Sequence, residues 1–448
     1  MRTTTRTAVI VAATLLALLS RSAVVASAAD RPPNFIIIFV DDLGYGDIGC
    51  FGSKVHRTPN LDRMAEQGMR LTDFYSSCSV CTPSRASLLT GCYPRRVNMH
   101  VDESNLCVLF PAAKKGLHPD EITFPELLKS RGYATACIGK WHLGDHPDFL
   151  PRKQGFDFYY GIPYSNDMGR RDGTARPALP LLRNETIIEA PVRQGTITKR
   201  YTEQAIQFIK DNKDNPFFVY LPHTAVHLPL FPGGAFKGKS KDGAYGDWVE
   251  EVDWSSGAIL RTLKELRIDD RTLVLFTSDN GSQREKQGSN LPLRGRKGQT
   301  DEGGMRVPCI VRWPGRIPAG TSSAEVTATI DLLPTFSKLA SAELPNDRII
   351  DGRDIWPILS GAPGAKSPHE AYYFYQMDQL QAVRSGDWKL FVAMDSKKRN
   401  WGTPEGKQEL SLFNLATDIH EDHHLATHHP SVAQRLLPYP QAARASPG

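Results

Sequence analysis

The chain has 448 residues, 40% of them hydrophobic and 23% charged. That balance excludes a disordered or fibrous chain and leaves room for a large buried core in two or three domains. The formal charge of +5 falls to +2 when residues 1–29 are set aside, since they hold three arginines and no acid, so charge gives no ground for a nucleic-acid partner.

Residues 1–29 have the pattern of a secretory signal. Arg2 and Arg6 precede an apolar run over 8–19, and the small residues Ala26, Ser27 and Ala28 follow, with cleavage expected near Ala28 or Ala29. The run is shorter than the roughly 20 residues a membrane span needs, and no later segment is apolar for long enough. The expectation is an exported protein, in a periplasmic, secreted or lysosome-like compartment, with no stable membrane anchor. The mature chain opens on a β-branched and aromatic run over 34–40, the pattern of a strand buried on both faces, and Asp41 and Asp42 end it. A second buried strand over 272–277 leads into Ser278, Asp279, Asn280 and Gly281. Between them, helices at 123–131, 201–211 and 247–266 alternate with strands at 134–138 and 216–221. The alternation predicts an α/β domain over 30–365, with a large, mainly parallel mixed sheet sandwiched by helices. Ligands gather at the carboxyl ends of such strands, where both acidic clusters fall. Past residue 365, short strands at 371–375, 381–384, 388–392 and 410–414 predict a small antiparallel sheet in a C-terminal α+β subdomain, 366–448. The tail carries histidines at 420, 423, 424, 428 and 429 and reads as solvated surface rather than a metal site.

Cysteines stand at 50, 78, 81, 92, 107, 137 and 309. Cys78 and Cys81 form a C-x-x-C with no second pair, which argues against a zinc cage. Cys81 lies in Cys81-Thr82-Pro83-Ser84-Arg85, followed by an apolar stretch and Leu89-Thr90-Gly91. Cys-x-Pro-x-Arg with a trailing Leu-Thr-Gly resembles the signature of type I sulfatases. The resemblance is nearest to the arylsulfatase and N-acetylgalactosamine-6-sulfatase branch and extends over nearly the whole mature chain. It implies an alkaline phosphatase-like fold and a Cys81 converted to formylglycine by a dedicated generating enzyme or anaerobic maturase, met transiently. A hydrated aldehyde carries two hydroxyls on one carbon, one to attack sulfur and one to expel sulfate by re-forming the aldehyde. Arg85, one helical turn on, returns to the site as a cation.

The same resemblance implies that Asp41, Asp42, Asp279 and Asn280, with the modified Cys81, hold calcium. Oxygen-bearing side chains on neighbouring strand tips suit a hard cation, and calcium tolerates such geometry better than magnesium. The segment Gly139-Lys140-Trp141-His142-Leu143-Gly144 matches a further family element. There Lys140 would hold the formylglycine hydroxyl and a sulfate oxygen, and His142 would be the base that lets sulfate leave. Ser165 resembles a serine near the sulfate or leaving group. Of two histidines in Pro222-His223-Thr224-Ala225-Val226-His227-Leu228-Pro229, the one before x-Pro, His227, matches the catalytic residue, and His223 is expected in a supporting or substrate-contacting place. The glycine-rich loop 295–304 lacks P-loop spacing; it matches a family loop whose lysine, here Lys297, meets the leaving oxygen. Cys78 stands where the family fixes no residue; a disulfide to Cys81 would block maturation, so Cys78 is expected either reduced or paired elsewhere. The activity implied is hydrolysis of an aryl or carbohydrate sulfate ester. A phosphate monoester, phosphodiester or phosphonate hydrolase of the same superfamily is the alternative; a non-catalytic sulfated-glycan binder would require the loss of a key residue, and all are in place, or a Cys81 never oxidised in its host.

Overall fold

The computed structural model describes residues 31–170, 176–283, 288–399 and 404–445; the expected signal over 1–29 lies outside them. Among the described residues, no helix is long and apolar enough to cross a membrane.

The β-branched and aromatic run forms the strand Asn34–Val40, every residue of which is buried. Alternate side chains serve opposite faces: Ile36, Ile38 and Val40 join one hydrophobic cluster, and Phe35, Ile37 and Phe39 join another. A strand covered on both sides has no polar face to show, hence its unbroken apolar sequence. It pairs in parallel with Phe217–Pro222 on one side and Thr272–Ser278 on the other. Ala134–Ile138 and Phe158–Gly161 extend the parallel set. Among the described residues the sheet has ten strands. Its mixed character comes from its flanks, where Cys309–Arg312 runs antiparallel to Thr272–Ser278, and Leu181–Arg183 antiparallel to Phe158–Gly161.

Helices cover both faces. Ile197–Asp211, Gly243–Glu265 and Pro59–Glu66 pack on one, and Cys81–Thr90, Phe124–Lys129 and Leu332–Leu339 on the other. The helix expected at 123–131 spans Phe124–Lys129, begun by Thr123, whose N–H and hydroxyl both donate to Glu126 Oε2 at 2.8 Å. The helix expected from 201 starts four residues earlier, at Ile197, whose side chain is buried. The small C-terminal sheet is antiparallel, with Tyr372–Gln376, Gln379–Ser385, Trp388–Phe391 and Ser411–Asn414 in sequence order. Its inner face shares a cluster with Tyr75, Met305, Ala328 and Ile330 of the larger part. The tail is not surface throughout, as the sequence suggested. Glu421 is fully buried, while His423, His424, His428 and His429 are exposed, the His424 Nδ1 accepting from the Leu412 N–H at 3.2 Å.

Candidate active site

The carboxyl ends of the central strands build one buried polar cluster. Asp41 and Asp42 follow Val40, and Asp279 and Asn280 follow Ser278 on the adjacent strand. The Asp279 N–H donates to Val40 O at 3.0 Å and the Lys140 N–H to Pro222 O at 2.7 Å, so the loops leave the sheet still tied to it. Gly139, at φ 143°, permits the turn off Ala134–Ile138; a Cβ there would lie 1.9 Å from Pro222 O. Asp42 and His142 are held at φ 60° and 61°, a left-handed conformation that costs about 1–3 kcal/mol at a non-glycine residue.

Cys81 is the first residue of Cys81–Thr90, a helix buried at every position, and Arg85 lies one turn on along the same face. The Arg85 guanidinium is fully buried and donates to Asp279 Oδ2 at 2.7 Å and to Lys140 O at 3.0 Å, with Asp41 Oδ1 3.6 Å away. The Lys140 ammonium donates to Asp41 Oδ2 at 2.6 Å and to Ser165 Oγ at 3.2 Å. The Lys297 ammonium donates to Asp42 Oδ2 at 2.9 Å and reaches Cys81 Sγ at 3.5 Å. Three carboxylates thus face three cations. Burial alone would raise the Asp41 pKa, but Lys140, His227 and Arg85 outweigh it and hold the carboxyl well below its usual range. Burial and the Asp41 charge push Asp279 up to about 7 against the pull of Arg85. Burial pushes the Cys81 thiol up to about 12 even beside Lys140 and Lys297, so an unaltered thiol stays neutral here.

Two buried acceptors in this cluster, Asp41 Oδ1 and Asn280 Oδ1, have no hydrogen-bond partner. Asn280 Nδ2 is already spent on Asp42 Oδ1, at 2.7 Å. Ligand atoms of Asp41, Asp42, Cys81 and His227 all lie within 4.8 Å of one another. Unpaired oxygens among converging carboxylates fit a hard cation, which takes oxygen ligands at about 2.3–2.6 Å when it is calcium.

The histidines divide. The His227 Nδ1–H donates to Leu228 O at 2.5 Å, which leaves Nε2 bare, 3.7 Å from Asp42 Oδ2. The His142 Nε2–H donates to Leu109 O at 2.9 Å, and its Nδ1 is buried without a partner. Burial, then the Lys140 and Arg85 charges, hold His142 well below the usual imidazole range, so it is neutral. Thr82 fixes this arrangement: its hydroxyl donates to His142 O at 3.1 Å and accepts the Leu109 N–H at 3.2 Å. His223 is not brought to the cluster. It lies behind the strand tip with Nε2 3.2 Å from Ser255 Oγ of the helix Gly243–Glu265, and burial alone pushes it down to about 3. The ring is fully buried and tied to that helix.

Sequence reasoning missed Asp167, two residues beyond Ser165. Burial raises its pKa, but His227, a Ser165 hydrogen bond and Lys140 lower it further, which places it on the edge of the cluster. It stands in the same short loop as Ser165, and that proximity was the available signal. Cys78 is not bonded to Cys81: all seven cysteines are free thiols, and Cys78 Sγ sits 4.0 Å from Tyr375 O.

Two family models match the chain, one described as Sulfatase over residues 33–342 and one as N-sulphoglucosamine sulphohydrolase, C-terminal, over residues 297–428. N-acetylgalactosamine-6-sulfatase of Canis lupus familiaris is 41% identical over 392 residues, covering 84% of this chain and 74% of that protein. Arylsulfatase A of Homo sapiens is 41% identical over 389 residues, 81% of this chain and 75% of its own. Steryl-sulfatase of Mus musculus is 39% identical over 447 residues, with 82% and 72% covered. Among solved structures, the PsFucS1 sulfatase from Pseudoalteromonas sp. superposes with a TM-score of 0.84 at 29% identity, covering 93% of this chain and 90% of that one. Ps i-CgsB superposes at 0.78 with 31% identity over 92% of each chain; it has also been solved in complex with k-i-k-neocarrahexaose.

Proposed function

The chain belongs to the sulfatase family and is a sulfuric ester hydrolase, and from that premise we propose that it cleaves aryl or carbohydrate sulfate monoesters to an alcohol and inorganic sulfate, using a formylglycine derived from Cys81 and a calcium ion. The observation that carries the reading is the meeting of Cys81, Lys297 and Asp42 at the mouth of a buried group of carboxylates with unpaired oxygens. Calcium, held by Asp41, Asp42, Asp279, Asn280 and the oxygen that replaces Cys81 Sγ, would supply positive charge to the sulfate oxygens. The hydrated aldehyde at position 81 would supply one hydroxyl to attack sulfur and another to release it.

The remaining chemistry falls to side chains. Arg85 holds Asp41 and Asp279 in place from behind, fixing their orientation. Lys140 and Lys297 stabilise charge on the sulfate oxygens in a site dry enough for such charges to count. Lys297, touching both position 81 and Asp42, is placed to meet the leaving oxygen as its negative charge grows. His142 accepts a proton at its bare Nδ1 as sulfate departs, with the Leu109 carbonyl fixing the tautomer. His227 keeps Nε2 free for a sulfate or leaving oxygen, and Ser165 steadies Lys140. A carbohydrate substrate is supported by the likeness to Ps i-CgsB, crystallised with k-i-k-neocarrahexaose. Export, and a transient encounter with a formylglycine-forming enzyme, complete the reading.

The test is parallel hydrolysis of 4-nitrophenyl sulfate and 4-nitrophenyl phosphate by the matured protein. The reading expects kcat/KM for sulfate at least about tenfold higher. A preference for phosphate would replace it with the phosphoryl-hydrolase alternative.

A further inference from the structure

The loop that carries Lys297 is gripped from two sides. Toward the site, the Gly298 N–H donates to Ser79 O at 2.9 Å and the Lys297 N–H to Ser282 O at 3.1 Å. Away from it, the same loop meets the small sheet and the tail. Lys389, on the strand Trp388–Phe391, is fully buried and donates to Thr300 O at 2.8 Å and to Glu302 Oε1 at 2.9 Å. It also pairs with Glu421 Oε1 at 2.9 Å, and its ammonium lies 4.1 Å from the centre of the Phe374 ring. Glu421 Oε2 accepts the Glu302 N–H at 2.9 Å, and the Arg294 guanidinium donates to Glu421 O. The Thr300 hydroxyl donates to Gln381 Oε1 at 2.8 Å. Loop residues 294, 300 and 302 are therefore fastened to residues 381, 389 and 421, while Lys297 between them reaches Asp42 and Cys81.

An ammonium buried between two carboxylates is a costly way to join two pieces of a protein, since apolar packing of equal volume is often as stable or more so. What fixed charges add is directional register: each bond here has one geometry, and a slip would leave a buried charge unpaired. Glu421 points the same way. It is the buried exception in a stretch where Asp422 and His423 are exposed; its Oε2 accepts the loop's Glu302 N–H, and its Oε1 faces the Lys389 ammonium as an ion pair at 2.9 Å, outside hydrogen-bond geometry.

We propose that Glu421 and Lys389 are positioning residues for Lys297, holding its ammonium at the leaving-group oxygen from the C-terminal sheet and tail. This rests on the role given to Lys297 above. Displacing a reacting group by about 1 Å can cost on the order of a hundredfold in rate, and a lysine that stabilises a leaving oxygen matters most when that oxygen is a poor leaving group.

The experiment measures kcat and KM for 4-nitrophenyl sulfate, a good leaving group, and phenyl sulfate, a poor one, with the matured full chain. Lys297→Ala sets the reference by losing more on phenyl sulfate than on 4-nitrophenyl sulfate. Glu421→Gln, which removes the charge and keeps the shape, is expected to lose about tenfold in kcat on phenyl sulfate and about twofold on 4-nitrophenyl sulfate, with KM little changed. Thr300→Val, which deletes only the hydroxyl bond to Gln381, moves in the same direction by less and serves if Glu421→Gln does not fold. A general loss of folded protein would lower both substrates in equal proportion. The inference is overturned if Lys297→Ala steepens the leaving-group dependence while Glu421→Gln and Thr300→Val lower both substrates equally or not at all. If Lys297→Ala itself leaves the dependence unaltered, the role of Lys297 falls and this inference falls with it.

Discussion

Arg85→Met isolates the electrostatics of the cluster. The guanidinium touches two of the three buried carboxylates, at 2.7 Å from Asp279 and 3.6 Å from Asp41, and it also satisfies the Lys140 carbonyl. Removing one partner of a buried ion pair costs about 3–5 kcal/mol, because the remaining charge stays buried without compensation. Methionine fills the stem volume against Phe39, over which the guanidinium lies at 5.5 Å, so little cavity cost is added. Arg85→Lys keeps the charge but loses the planar fork, and one ammonium cannot serve both Asp279 and the Lys140 carbonyl in the same geometry. Its expected cost is about 1–3 kcal/mol, the value of one charge-assisted hydrogen bond. Urea unfolding of wild type, Arg85→Lys and Arg85→Met, with chelator present so that no metal masks the effect, should rank them in that order. An Arg85→Met protein within about 1 kcal/mol of wild type would refute the reasoning, since that is the scale of an exposed pair.

Added calcium should raise the unfolding free energy, by about 2.7 kcal/mol at a hundred times its dissociation constant; titration calorimetry that finds no binding to wild type would contradict the oxygen site. His223→Ala should cost stability through the lost hydrogen bond to Ser255 and the cavity left by a fully buried ring, while His227→Ala should abolish turnover with little effect on unfolding; the reverse pattern, in paired melting and activity assays, would exchange their roles. Burial pushes the Glu251 carboxyl up to about 7, opposed only by the Gly233 N–H at 2.7 Å. A carboxyl raised in the folded state binds more protons there than when unfolded. Its contribution is therefore most favourable at pH below its unfolded pKa of about 4.5, and it is lost as pH rises toward 7. Glu251→Gln should flatten this decline, and unfolding free energies at pH 5 and pH 8 that fall equally in both proteins would contradict the assignment.

The central strands were legible because burial on both faces leaves nothing but apolar residues, as in Asn34–Val40. The helix opened by Cys81 and the convergence of Asp41, Asp42, Asp279 and Asn280 followed from motifs set at strand tips. What escaped was short or depended on distant partners. The flank strands Leu181–Arg183 and Thr321–Ser323 hold three residues each, too few for a period to register. The x-Pro match picked out His227, but the partner of His223, Ser255 on a helix about thirty residues away, had no local signal. Glu421 sits in a polar, histidine-rich tail, and nothing local says that Lys389, on a strand of the small sheet, requires it as a counter-charge.

The central claim is that Cys81 is the precursor of the nucleophile, and one peptide reports on it. Trypsin should release residues 71–85 from protein isolated from its native host, and mass spectrometry of that peptide reads position 81 directly. Conversion replaces the sulfur and two hydrogens of the cysteine by one oxygen, and the account requires that lighter peptide to dominate, to carry the aldehyde, and to rise in step with sulfate release. An unaltered Cys81 in a protein that still hydrolyses sulfate esters would contradict the account.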